Sequence, residues 1–278
     1  MLFFKRQTRN WGAILGLLIL TVVIVIALLA HVLYPVSPWQ SVGIPFMPPG
    51  EDMAYPLGTD MLGRDIAAGL AHGARVSLLI GVISTIVAVL IGITIGALAG
   101  FYGGKVDDLL MRFTEFFQTI PAFAMAVVLV AIFNPNIVSI TLAIAVVSWP
   151  PVARLVRAEF LSLRSREFVQ AAVVIGQSGP RIILTQILPN AISPIIVTAS
   201  LMVATAILTE SSLSFLGLGD RNMMSWGFMI GAARTMLREA WWMSMLPGVA
   251  ILLTVLAINL VGEGLNDAMN PHLRGRKS

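Results

Sequence analysis

Residues 76–104 read VSLLIGVISTIVAVLIGITIGALAGFYGG, without a charged side chain. A charge at the centre of a lipid-facing helix costs about 2.5 to 3.5 kcal/mol, and about 20 apolar residues cross a hydrocarbon core. The run is long enough to span a bilayer. Within it Ser84, Ala88, Gly92, Gly96 and Gly100 recur at every fourth position. On a helix that spacing makes a ridge free of bulky side chains, on which another helix can close, inside the chain or at a subunit seam.

Outward from this run, the other charge-free intervals repeat the pattern. Residues 10–50 lack charge, but only 11–34 are densely apolar, and Pro35, Pro38, Pro45, Pro48 and Pro49 make the rest irregular. Residues 116–153 exceed one crossing, so Asn134-Pro135-Asn136 is read as the turn of a hairpin. Residues 182–209, carrying Pro189, supply a fifth span, and residues 240–262 a sixth. The expectation is an all-α polytopic membrane protein with six transmembrane helices.

Composition agrees. The 278 residues are 57% hydrophobic and 12% charged, with mean hydropathy +0.88, which excludes an ordinary water-soluble domain. With no cysteine, disulfides, thiolate metal sites and cysteine nucleophiles are excluded. The net charge of +4 needs no nucleic acid to explain it, because loops facing the cytoplasm are basic. With the N-terminus inside, Lys and Arg divide 13 inside to 5 outside, which puts both termini in the cytoplasm. Lys5, Arg6 and Arg9 precede the first span as in a signal peptide. That span is too apolar for too long, and lacks an A-x-A site, so it is read as an uncleaved anchor. The organisation expected is a cytoplasmic N-terminus (1–10), a first helix (11–34), an extracytoplasmic segment (35–75), a five-helix core (76–262) and a cytoplasmic tail (263–278).

Catalytic motifs are missing. Gly103-Gly104-Lys105 lacks the spacing and hydroxyl of a phosphate loop, His31, His72 and His272 are scattered, and neither H-E-x-x-H nor G-x-S-x-G occurs. No catalytic residue, cofactor or metal ligand is assigned, and the clustered methionines from Met223 to Met245 are read as adaptable packing. Ion-coupled carriers place acids or His inside their spans. Here Glu210 is the candidate, at the outer end of the fifth span before Ser211-Ser212-Leu213-Ser214. It is either a group lining a pathway or interface, or an acid satisfied by neighbouring hydroxyls.

The connector between the fourth and fifth spans, residues 154–190, is the most informative loop. Phe168, Ala171, Ala172 and Ile175 fall at i, i+3, i+4 and i+7, giving a short helix an apolar face. Gly176, Ser178, Gly179 and Pro180 break it, and a second short stretch ends at Leu188-Pro189. The pattern fits a helix docking on another protein and equally one resting on lipid.

These residues carry a resemblance. EFVQAAVVIGQSGPRIILTQILPN, 167–190, resembles the cytoplasmic loop signature of ATP-binding-cassette importer permeases, with Gln170-Ala171-Ala172, Gly176 and Leu188-Pro189 in its spacing. Two positions depart: Gln170 replaces the signature glutamate, and Gln186 stands where related permeases often have histidine. Gln170 keeps hydrogen-bonding reach without charge, so an ion pair made by a glutamate there does not carry over. PLGTDMLGRD (56–65), RVSLLIG (75–81), ESSLSFLGLG (210–219) and NLVGEGLNDAMNPHL (259–273) are similar to the dipeptide, oligopeptide and nickel permease subfamily, second-permease type.

The resemblance implies the type I importer permease fold in a bacterial cytoplasmic membrane, and a transport subunit rather than an enzyme. It implies a homologous second permease, two cytoplasmic ATP-binding subunits, an extracytoplasmic substrate-binding protein and surrounding lipid. Glu167, Gln170, Ala171, Ala172, Gly176, Leu188 and Pro189 would couple to an ATPase. Small peptides are the implied cargo; nickel or another small compound is the alternative, and the residues alone leave an ion-coupled secondary transporter open.

Overall fold

The computed structural model describes residues 11–269, so the basic Lys5, Arg6 and Arg9 and the end of the tail lie outside the described residues. Among the described residues the regular elements are all helical. Among the described residues five helices are long and apolar enough to cross a membrane, and the number is six if one bent pair of shorter helices counts as a single span.

α1, Trp11–Leu33, buries only its small side chains, Ala13, Gly16, Ala27 and Ala30. A Cβ at Gly16 would lie 2.8 Å from the Ala257 carbonyl oxygen, so the small stripe lets α1 lie close on the last helix. α2, Ile66–Tyr102, has 37 residues, about 55 Å, well beyond the bilayer core. Asp65 caps its start, accepting from the Ala67 N–H at 2.9 Å. Gly103 and Gly104 end it in the left-handed region.

The expected third span, 116–133, is shorter than the charge-free run implied. α3, Gly104–Thr119, and α4, Ala122–Ile132, meet at 82°. Ile120 before Pro121 is extended, φ −91° and ψ 130°, because proline disfavours helical geometry in the preceding residue. The first residues of the run therefore close an amphipathic helix, and the 11 residues of α4 reach about 16 Å. The turn does fall at Asn134 to Asn136. Asn136 begins α5, Ile137–Arg164, with a capping box to Ser139, and Asp220 accepts the Ile137 N–H at 2.8 Å from across the molecule.

α5 also corrects an expectation, since it continues to Arg164 where a loop was expected from residue 154. Val152, Val156 and Phe160 keep the helical period and are buried, so charge at Arg154 and Arg157 marks an edge of the bilayer without ending the helix. α5 lies along α2 on the small ridge. Cβ atoms added at Gly92 and Gly100 would come within 2.5 Å of the Val152 Cβ and 2.6 Å of the Phe160 Cβ. The ridge is a crossing within the chain.

α6, Glu167–Val174, and the single turn α7, Gly179–Ile182, lead through a π turn, Ile183–Ile187, into α8, Leu188–Leu213. A second π turn, Ser214–Leu218, closes α8. α9, Trp226–Ala233, is capped by Ser225, and α10, Trp242–Met269, completes the bundle. The segment between α1 and α2 has no long element, yet it is folded. Val42 and Gly43 N–H groups donate to the Gly63 carbonyl, the Tyr55 hydroxyl donates to the Val42 carbonyl, and the Trp242 Nε1–H donates to the Thr59 carbonyl.

Candidate functional site

The two ends of the bundle differ. At one end the α1–α2 segment packs on α9 and the start of α10. At the other, α6 and α7 fold beneath the end of α5.

α6 is held by two side chains. Val169 and Ala172, three residues apart on one face, are buried with Phe160 of α5 and Ile182 and Ile187 of the following stretch. The apolar face expected from Phe168, Ala171, Ala172 and Ile175 is not the inward one, because Ala172 alone of the four is buried. Val174 is 87% exposed and Ile175 74%, with Phe168 and Val173 also open. The alternation of inward and outward positions was unreadable because both faces of this helix are apolar.

Gly176 stops α6 with φ +78°. Its N–H donates to the Val173 carbonyl at 2.9 Å and the Gln177 N–H to the Ala172 carbonyl at 3.1 Å, which is a Schellman cap. Gln170 Nε2 donates to the Arg164 carbonyl at 3.0 Å, tying α6 to the end of α5. Glu167 lies in the first turn, where a carboxylate opposes the helix dipole favourably. Leu188 packs on the same core and Pro189 is exposed. Pro189 lacks an N–H for the preceding turn, and the π turn before it absorbs that loss. The structure thus brings Glu167, Gln170, Ala171, Ala172 and Gly176 onto one short helix and its cap, with Leu188 and Pro189 at the root of α8.

Glu210 lies elsewhere, some 33 Å along α8 from Leu188 by helical rise. It is 1% exposed. Its Oε1 accepts from the Ser214 hydroxyl at 2.8 Å and the Ser225 hydroxyl at 2.7 Å, and a Cβ at Gly227 would come within 2.8 Å of Oε2. The side chain is packed inside this chain and joins α8 to the cap of α9.

One bond at the connector end was missed. Arg157 Nε and Nη2 donate to Asp107 Oδ1 and Oδ2 at 2.5 and 2.6 Å, a bidentate pair fastening α3 to α5. Fifty residues separate the partners, and the sequence carries no local sign of the pairing.

The described residues thus form a bundle of membrane-length helices with a short helix, α6, rooted at the end of a long one, the architecture of a multi-pass membrane protein. Residues 92–275 match the family model of the binding-protein-dependent transport system inner membrane component. The chain is 39% identical to the di/tripeptide transport system permease protein DppC of Pseudomonas aeruginosa, over 98% of this chain and 92% of that one. It is 37% identical to the oligopeptide transport system permease protein OppC of Haemophilus influenzae, over 96% and 86%. Among solved structures, a chain of the MetNI methionine ABC transporter in an inward-facing conformation superposes with TM-score 0.61 at 16% identity, covering 73% of this chain and 97% of that one. The chain belongs to the binding-protein-dependent inner membrane transport component family and has the fold of an ABC importer permease.

Proposed function

We propose that this chain is one of two permease subunits of an ATP-driven importer of small peptides, and that α6 is the element gripped by a cytoplasmic ATPase. The observation that carries this reading is the division of α6 into two inward anchors and an exposed apolar surface. An exposed patch containing Val174 and Ile175 suits a protein groove. The peptide cargo rests on the relatives named for di/tripeptide and oligopeptide transport.

In this mechanism closure of the ATPases displaces α6. Because Val169 and Ala172 lock α6 onto Phe160, Ile182 and Ile187, the displacement passes to α5 and α8 as rigid-body rocking. The second permease provides the other wall of the path, and a substrate-binding protein delivers peptide to the surface formed by residues 34–75 and 215–242. ATP chemistry resides on the partners; this chain supplies the path and the lever.

The test is Ile175→Glu, which puts a charge into the exposed patch without touching the anchors. In proteoliposomes containing the complete transporter, the variant is expected to insert normally, lose the co-purifying ATPase, and take up labelled dipeptide at least tenfold more slowly, since desolvating an unpaired charge in an interface costs several kcal/mol. Unchanged uptake with normal ATPase retention refutes the assignment of α6.

A further inference from the structure

A groove of about 450 Å³ runs between α1, α2, α8 and α10. Its wall is built from side chains such as Leu20, Ile24 and Leu28 of α1, Leu79 and Val82 of α2 and Ile258 of α10. Two lining residues, Ser200 and Arg75, carry polar groups, although the surface that they present to the groove is itself apolar. The Ser200 hydroxyl is spent on the Val197 carbonyl at 2.7 Å, which leaves Arg75.

Arg75 is exposed and aimed. Its Nη1 lies 2.8 Å from His31 Nε2, and because a guanidinium can only donate, that ring nitrogen accepts and the imidazole proton sits on Nδ1. The His31 ring stands edge-on to His72 at 4.8 Å, and His72 Nε2 meets the Tyr34 carbonyl oxygen at 3.1 Å. One N–H of Arg75 is thus engaged by His31, and the residue as a whole is exposed.

Depth follows from α1. Trp11 begins it and Tyr34 follows its last residue, Leu33, the arrangement of aromatic side chains at two membrane interfaces. His31 is in the last turn, so its partner Arg75 lies at the interface on the side of the α1–α2 segment. From Leu28 to Leu20 the groove descends about 12 Å toward the bilayer centre.

We propose that this groove is a binding site for an anionic phospholipid, its phosphate on Arg75 and one acyl chain lying between α1 and α2. Charge complementarity selects the occupant. A fixed cation above an apolar slot complements an amphiphile with one net negative charge, whereas a zwitterionic lipid brings its own ammonium beside the guanidinium. A partner helix would have to present an acid at this depth.

The full chain, purified in detergent and exposed to equimolar phosphatidylglycerol and phosphatidylcholine, is read by native mass spectrometry for retained lipid. Phosphatidylglycerol is expected to be retained about fivefold over phosphatidylcholine, the preference one interfacial cation supplies. Arg75→Gln removes the preference, Arg75→Lys keeps most of it, and Val82→Trp fills the slot and releases lipid of both kinds. A preference that survives Arg75→Gln overturns the site. Photoactivatable phosphatidylglycerol tests the wild-type chain without any substitution: adducts on α1 and α2 around the groove are expected, and adducts spread evenly over the outer helix faces overturn the proposal. In the assembled transporter, a photoreactive side chain at Leu79 captures lipid if the proposal holds; capture of another permease chain overturns lipid as the occupant.

Discussion

Gly176 and Gly92 are both required, for different reasons. At Gly176 a Cβ would meet nothing within 4 Å, but φ is +78°, so the penalty is one of backbone conformation, about 1–2 kcal/mol for an L-residue. Gly176→Val should loosen the last turn of α6 and lower peptide uptake severalfold while the protein still inserts; Gly176→Asn, which tolerates this conformation, should restore most of it, as an uptake assay would read. At Gly92 the penalty is steric, because the Val152 Cβ would be 2.5 Å away. Gly92→Leu should therefore separate α2 from α5 and lower the melting temperature in detergent, with an overpacking cost of about 1–3 kcal/mol. Asp65 gives a pH test. Burial raises its carboxyl above the ordinary range, and the Ala67 and Ala68 N–H groups offset only part of that. The native state then holds the proton more tightly than the unfolded one. The stabilising contribution is complete below the unfolded value of about 3.9 and is lost as pH rises through the native value. Asp65→Asn keeps an acceptor for the cap and cannot titrate, so thermal unfolding measured from about pH 4 to pH 7 should lose this component of its pH dependence.

α3 poses the question of what holds a helix that turns away from its successor. Phe113 and Phe117 pack on Trp149 of α5, with ring centroids at 5.8 and 5.3 Å, and Asp107 clasps Arg157 through two bonds. Asp107→Asn leaves a partly buried guanidinium underpaired and should cost about 1–3 kcal/mol. In a double-mutant cycle with Arg157→Gln the two losses should fall well short of additive; additive melting shifts would show that the pair contributes nothing. How far such elements were legible depended on whether their cause was local. The ridge from Ser84 to Gly100 was visible because its reason, removal of bulk every fourth residue, is written in one segment. The end of α5 was not, because Arg154 and Arg157 interrupt the apolar run while Val156 and Phe160 continue the buried face, so loss of apolarity there does not mark loss of helix. The bend at Pro121 carried a signal in the proline itself, outweighed by the length of the uncharged run around it. The short helix α6 and its glycine stop were readable from spacing, but its buried face was not, since Val169 and Ala172 are no more apolar than the exposed Val174 and Ile175. The caging of Glu210 by Ser225 depends on α9 folding back onto α8, which no local pattern records.

At the scale of the whole molecule, the reading requires the α5–α8 connector and the α1–α2 segment to face opposite sides of the membrane, with the connector inside. The helices support the first half of that requirement. α2 leaves the α1–α2 segment at Ile66 and ends at Tyr102, and a Cβ at Gly179, the first residue of α7, would be 3.1 Å from the Phe101 ring, so the two regions lie at opposite ends of one continuous helix. About 55 Å of helix exceeds the thickness of a bilayer with its interfaces. The second half rests on the distribution of Lys and Arg, 13 against 5, which a membrane resolves by keeping the richer side in the cytoplasm. The chain has no cysteine, so a single introduced thiol reports without background. Met53 is 96% exposed and Val174 is 87% exposed, which makes both substitutions to cysteine accessible and structurally mild. A membrane-impermeant maleimide applied to intact spheroplasts should label Met53→Cys and spare Val174→Cys, and inverted vesicles should reverse the pattern. Val174→Cys in inverted vesicles should further be protected when the ATPase is bound, because the same side chain lies in the patch assigned to that contact. Labelling of Val174→Cys from the outside would place the lever beyond the reach of any cytoplasmic motor and would end the proposed mechanism. Labelling from the inside without protection would preserve the topology and remove α6 from the contact.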